Sequence, residues 1–263
     1  MGPVILEKSE LLALLDLLGV QEVIGLEERH LHAPEAFERP LIIDDGRNRL
    51  LEQHRLSVAD DHYEIESDLE AMMVIITNPN SVVRVSRTIP DSDEAYWCWY
   101  YASEGEIIQL VASGPEEFEL DRVGDIDGIL AELVEFLPLE PAPDALHYRA
   151  IVDQEDADLV RALLDDWDEV PALSVMEADG LQPAEAVELY DDLEEPQWRG
   201  QVDFMACESG QIRLYRRLLV LQGDELSWLA WQDVADKSDL HIQTAETGAL
   251  QEHLKTYLTE VLA

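Results

Sequence analysis

This chain spells out one succession of elements twice. Residues 68–137 pass through a Pro-punctuated segment, four strand-like runs and a closing amphipathic helix, and residues 186–262 repeat that succession. The first set of runs is Val82–Arg87, Ala95–Tyr101, Glu106–Val111 and Glu117–Asp121, closed by Ile126–Leu137. The second is Gln201–Ala206, Gln211–Val220, Glu225–Trp231 and Asp239–Ala245, closed by Gly248–Leu262. Turn signals and changes of hydrophobic period agree in order as well as kind, so internal duplication is the simplest reading. Pro138, Pro141 and Pro143 form the one Pro-rich stretch and mark the join. Two halves are expected, residues 1–139 and 140–263, packed as one compact domain. Such a pair predicts a quasi-symmetric scaffold rather than a catalytic domain joined to a substrate domain.

The remaining elements are helical. Ser9 is placed to cap a helix over Glu10–Leu18, which Gly19 ends at the position after the C-cap. Its leucines cover more than one face, as in a helix buried between neighbours. Asp45-Gly46 reads as a turn, followed by a short helix over Arg47–His54. A helix from Ser67 or Asp68 through Thr77 must stop before Asn78-Pro79, because a residue preceding proline avoids the α region. The second half opens with a helix near Glu155–Trp167, then a helical region reaching Asp179-Gly180. Pro183 starts a further helix over Ala184–Leu193, which ends before Glu195-Pro196 and so echoes the first half.

Charge narrows the partners. The chain carries 58 Asp and Glu against 17 Lys and Arg, a net charge of −41, and the two halves stand at −21 and −20. Nucleic acid and anionic lipid are excluded, because binding to either relies on cations displacing counterions. Self-repulsion that keeps an apolar protein soluble, adaptation to a salty cytoplasm and attraction of a basic protein all remain compatible with this charge. Cys98 and Cys207 lack a CxxC neighbour and cannot build a disulfide framework, which indicates a reducing cytoplasm. Residues 1–8 lack a basic segment followed by an apolar one, and no apolar run approaches membrane-spanning length, so neither export nor insertion is expected.

The search for chemistry returns little. The phosphate loop, the dinucleotide glycine pattern, HExxH and the GxSxG elbow are all absent. Asp125-Ile126-Asp127-Gly128 resembles part of a calcium loop, but Val123 and Val134 stand where oxygen ligands are required. His30 and His32, with Glu27 completing an isolated ExxH, offer too few ligands for a metal. Acid pairs such as Asp60-Asp61, Asp165-Asp166 and Asp191-Asp192 are expected to be surface solvation. No catalytic residue, cofactor or metal is assigned, and the chain is read as a non-enzyme.

The two features least suited to a bland surface lie in matching strands. Trp97, Trp99 and Tyr101 alternate onto one sheet face, either as core or as an exposed apolar platform. Arg213, Arg216 and Arg217 form the densest cationic group, either paired with neighbouring acids or free to take a carboxylate. The loop Ala102–Gly105, with Ser103 and Glu104, follows the aromatic strand and is a natural contact point. Interfaces are enriched in Trp, Tyr and Arg, which favours Trp97, Trp99, Tyr101, Ser103, Glu104, Arg213 and Arg216 as partner-binding residues.

Taken together, Leu11–Gly19, the acidic stretch leading into a helix, the strand meander and the closing Leu-rich helix resemble the EspG family of type VII (ESX) secretion chaperones. In the second half, Asp179-Gly180-Leu181-Gln182-Pro183, Ala184–Leu193 and Arg199-Gly200-Gln201-Val202 are similar to that family's passage into its second sheet. The resemblance spans nearly the whole chain and rests on structural rather than catalytic motifs. It implies an α+β, quasi-two-fold fold, with a central antiparallel sheet flanked by helical bundles. It also implies a cytosolic chaperone shielding the hydrophobic helical tip of a secretion substrate, in mycobacteria a PE–PPE heterodimer. Very high acidity and the Trp-rich strand depart from the family pattern. The rival reading is an acidic inhibitor or nucleic-acid mimic that engages a basic protein.

Overall fold

The structure, a computed structural model, describes residues 2–27, 38–60, 62–90, 95–114, 116–141, 146–165, 168–224, 226–232 and 239–262. Its elements in the first half are β1 (Val4–Glu7), α1 (Lys8–Leu17), α2 (Arg39–Glu52), β2 (Leu56–Ala59), β3 (His62–Ile65), α3 (Ser67–Thr77), β4 (Ser81–Thr88), β5 (Ala95–Ser103), β6 (Glu106–Ala112), β7 (Glu117–Val123) and α4 (Ile126–Phe136). The second half contains β8 (Arg149–Asp153), α5 (Gln154–Asp165), α6 (Glu169–Ala178), α7 (Pro183–Glu194), β9 (Trp198–Glu208), β10 (Gln211–Gln222), β11 (Ser227–Gln232), β12 (Asp239–Thr244) and α8 (Ala249–Leu262). Strand, three helices, four strands, helix: this succession occurs twice, and the β2–β3 hairpin is an insertion in its first occurrence. The fold is α+β, built on a large ten-stranded antiparallel sheet.

Two compact units divide the chain. The first comprises Met1–Arg84, Trp97–Asp125 and Met205–Leu214, and the second Val85–Tyr96, Ile126–Phe204 and Tyr215–Ala263. Strands β4, β5, β9 and β10 therefore contribute residues to both. In the first unit the strand order is β1-β7-β6-β5-β4-β9-β10, and in the second β5-β4-β9-β10-β11-β12-β8. The four meander strands and closing helix of each half lie where the sequence places them. Short strands β1 and β8 escape a reading by local pattern, because each forms only by pairing with a strand distant in sequence: Leu6 with Phe118, and Val152 with Leu240.

The first unit's core lies between one sheet face and helices α1 and α3. Leu11, Leu14, Met73 and Ile76 pack against Val82, Trp99, Tyr101, Ile108, Leu120 and Met205. At the start of α1 the N-cap is Glu7 rather than Ser9. Glu10 accepts from the Glu7 N–H at 2.7 Å, and its other oxygen accepts from Gln53 Nε2 at 2.6 Å. The same device recurs at α7, where the Gln182 N–H donates to Glu185 at 2.8 Å and Pro183 opens the helix. The C-caps match as well: Asn78 at φ −134°, ψ 58° and Glu195 at φ −124°, ψ 62°, each before a proline.

Asp45-Gly46 is a correction. It is not a turn but the interior of α2, which begins before Pro40, a residue tolerated in the first helical turn. Gly46 is there because α1 crosses it: a Cβ would lie 2.0 Å from the Ser9 carbonyl oxygen, which is backbone and cannot swing aside. Ordinarily Gly→Ala inside a helix is worth about 1 kcal/mol of stabilisation. Here the sign should reverse. Gly46→Ala is expected to destabilise by about 2 kcal/mol through overpacking, read as a lower urea midpoint at unchanged m-value.

In the second unit one sheet face is covered by α5, α6 and α7, with Val160, Ala172, Met176, Leu189 and Tyr190 around Leu221 and Trp228. Asp192, at the end of α7, secures the β10–β11 turn. It accepts from Trp228 Nε1 at 2.8 Å and from the Asp224 N–H at 3.2 Å. Burial raises its pKa, and the two donors offset part of that rise. The other face carries α8, where Phe204 meets Tyr257 edge-on with ring centroids 5.3 Å apart.

Candidate functional site

Strand alternation decides the fate of the arginine cluster. On β10 successive side chains leave opposite faces of the sheet. Arg216 goes toward α8, where its Nε and Nη2 meet Glu260 at 2.7 and 2.8 Å and its guanidinium lies 5.1 Å from the Tyr257 ring centre. Arg217 goes the other way, to Asp203 on β9. The cluster that reads as one cationic patch is divided between two faces.

Asp203 is the centre of the second arrangement and is only 1% exposed. One oxygen accepts from Tyr215 Oη at 2.6 Å and Arg217 Nε at 2.8 Å, and the other accepts from Gln201 Nε2 at 2.7 Å. Arg217 Nη2 also contacts Tyr215 Oη, and its guanidinium sits 5.3 Å from the Tyr215 ring centre. Burial opposes the Arg217 charge, but the hydrogen bond and charge of Asp203 outweigh it and raise the pKa above its ordinary value. Tyr215 stays 39% exposed and the Arg217 side chain 40%. The result is a rigid Tyr–Arg surface mounted on a buried carboxylate. Tyr215, Arg217 and Gln201 all donate to that carboxylate, which makes it a fixed anchor for the surface.

The arginines do not form an open carboxylate-binding site. Arg213 pairs with Glu208 at 3.0 Å across the turn Ser209-Gly210, and Arg216 and Arg217 each have their own carboxylate. Pairing with neighbouring acids describes all three. Two members of the aromatic stripe belong to the core: Trp99 and Tyr101 are fully buried, and the Trp99 indole donates to the Gly25 carbonyl at 2.8 Å. They offer no surface to a partner. Trp97 is half-buried and stacks on Trp99 with centroids 6.0 Å apart, so it alone of the three retains accessible ring. Ser103 ends β5, and Glu104 with Gly105 makes a two-residue turn with φ of 53° and 84°. Positive φ at both central positions is the hairpin geometry that favours Gly second.

Tyr215, Asp203 and Gln201 were not singled out by the sequence pattern. The available signal was the i, i+2 spacing of Tyr215 and Arg217, which places them together once the strand is recognised. His30 and His32 lie outside the described residues, as do Asp61 and Asp166. Among the described residues, no group of three or more His, Cys, Asp or Glu is disposed to hold a metal, and no helix is long and apolar enough to cross a membrane.

Aromatic rings hold α8 to the sheet beside Arg216. His253 lies 4.3 Å from Trp231 and 5.9 Å from Tyr257, and Trp231 stacks on His241 at 5.5 Å. Burial lowers the His253 pKa, Glu252 raises it and Arg149 lowers it further. A histidine held below its unfolded value of about 6.5 contributes stability above that pH and loses it as pH falls. The wild-type advantage over His253→Gln, measured as a difference in urea midpoints, should therefore shrink from pH 7.5 to 5.5. Arg217→Ala should destabilise by about 2 kcal/mol, below the full range for a broken buried pair because the guanidinium is partly solvated. Asp203→Asn in that background should recover part of the loss in a double-mutant cycle.

Neither a family model nor a curated protein matches the chain. Among solved structures it is similar to the Mycobacterium tuberculosis type VII secretion system chaperone EspG5, solved in complex with the PE25–PPE41 dimer. Sequence identity is 16%, the TM-score is 0.72, and the match covers 100% of this chain and 97% of that one. The chain has the EspG5 fold from end to end.

Proposed function

We propose that this chain is a non-enzymatic, cytoplasmic, chaperone-like binding protein that shields an apolar helical part of a secretion substrate. One observation carries the reading: the full-length likeness to EspG5, a type VII secretion chaperone solved with a PE–PPE dimer bound. The Tyr215–Arg217 surface supports it, since rigid Tyr and Arg side chains suit a protein contact better than a reaction. In this reading Trp97, Ser103, Glu104 and Arg213 also contribute to partner contact, whereas Arg216 is taken up by Glu260 and Tyr257 beneath α8, and the acids keep the carrier soluble while its cargo is held.

The net charge of −41 favours a second reading, in which a basic protein is held by charge. Salt separates the two. Co-expression with helical secretion substrates of the same host should yield a complex that survives purification at about 1 M NaCl, where the Debye length is ~3 Å. Tyr215→Ala should weaken capture by about tenfold while the urea transition shows a folded protein. A complex that dissociates steeply with added salt would support charge-led binding instead.

A further inference from the structure

Strand β8 is the outermost strand of the second unit, paired with β12 on one side only. The ladder shows which of its groups face outward. The Thr244 N–H donates to the Tyr148 carbonyl at 3.1 Å. In antiparallel alternation the even positions Ala150 and Val152 then bond to β12, while the N–H and C=O of Arg149 and Ile151 point away. Asp153 instead begins α5: its carboxylate accepts from the Glu155 N–H at 2.8 Å and its carbonyl accepts the first bond of the helix. Among the described residues nothing pairs with the outward backbone groups of Ile151, whose side chain is 52% exposed. The segment contains no proline and no lysine, two usual protections of an edge. In the first unit, by contrast, the Ile5 carbonyl of edge strand β1 accepts from Arg55 Nη1 at 2.5 Å.

The five residues of β8 are also self-complementary. Laid antiparallel on a second copy and centred on Ile151, Arg149 falls opposite Asp153 of that copy, Ala150 opposite Val152, and Ile151 opposite Ile151. Opposite charges directly across a ladder stabilise it, and the two-fold register repeats the pair. Arg149 is exposed, and its Nη2 donates to the uncharged Gln243 amide at 2.8 Å. We infer that β8 is a self-association edge, on which two copies join through antiparallel β8 strands centred on Ile151. Two backbone hydrogen bonds close its centre, Ile151 to Ile151 in both directions, and the Arg149 and Asp153 side chains of the two copies lie opposite one another on either side.

What opposes the pairing is the charge of −41 on each copy. That repulsion is long-range and screened by salt, whereas the ladder is short-range, so association strengthens as ionic strength rises. Sedimentation equilibrium of the full chain from micromolar to millimolar concentration should show a species of twice the 29.8 kDa chain mass in 1 M NaCl. The association constant should be about tenfold or more weaker in 0.1 M NaCl. Ile151→Pro removes an outward N–H that β12 does not use, a position where an edge strand accepts proline. It should stay folded and monomeric. Arg149→Asp sets like charges against Asp153 and should also abolish the dimer, and it decides the matter if the proline variant does not fold. A wild-type chain that is monomeric at 1 M NaCl over the whole range overturns the inference, as does a dimer that survives in a folded variant.

Discussion

The alternation of side chains along β9 and β10 is the constraint on which the described site depends. A strand in the interior of a sheet has two faces to satisfy, and here both are occupied. Phe204, Arg216 and Leu218 serve the α8 face, where Glu260 and Tyr257 receive the guanidinium. Asp203, Tyr215 and Arg217 serve the other. One residue's shift in register would exchange these sets, stranding Asp203 beneath a helix and turning Phe204 to solvent. The ion pairs, the packing of Tyr257 and the Tyr–Arg surface therefore stand or fall together.

Acidity and fold meet at the arginines. Several of them are spent inside the structure. Arg84 pairs with Glu27 at 2.6 Å, Arg47 with Asp16 and Asp44, and Arg87 donates to the Phe136 carbonyl while lying over the Tyr96 and Phe136 rings. Most acids among the described residues are exposed, and that surplus of negative charge discourages unprogrammed contact.

Much of the architecture was legible in the sequence because it is written in local signals. Period-two runs, Asn78-Pro79 and Glu195-Pro196 as helix stops, and Pro183 as a helix start each act within a few residues. Gly46 shows where local reading fails. Asp-Gly is a turn signal until a neighbouring helix needs the space that a side chain would fill, and the sequence carries no mark of that neighbour. Glu7 displacing Ser9 as N-cap is the same lesson on a smaller scale, because the ladder between β1 and β7 settles where the helix begins. The β2–β3 hairpin and strand β8 are too short to stand out by pattern.

The candidate site was less legible. Trp97, Trp99 and Tyr101 share a face by alternation, but that rule cannot say whether a helix covers it. Packing against α1 and α3 put Trp99 and Tyr101 in the core and left only part of Trp97 accessible. Arg216 and Arg217 are adjacent in sequence and opposite in space, a division visible only once β10 is known to be a strand with both faces in use.

By itself the sequence determined the repeated succession of elements, the helix stops, the strand faces and the sign of the charge, since each depends on residues a few positions apart. The tertiary structure alone decided burial, the partners of the β10 arginines, the glycine at the helix crossing and which strand ends the sheet. These depend on residues that meet across tens of positions, where distance along the chain carries no information about distance in space.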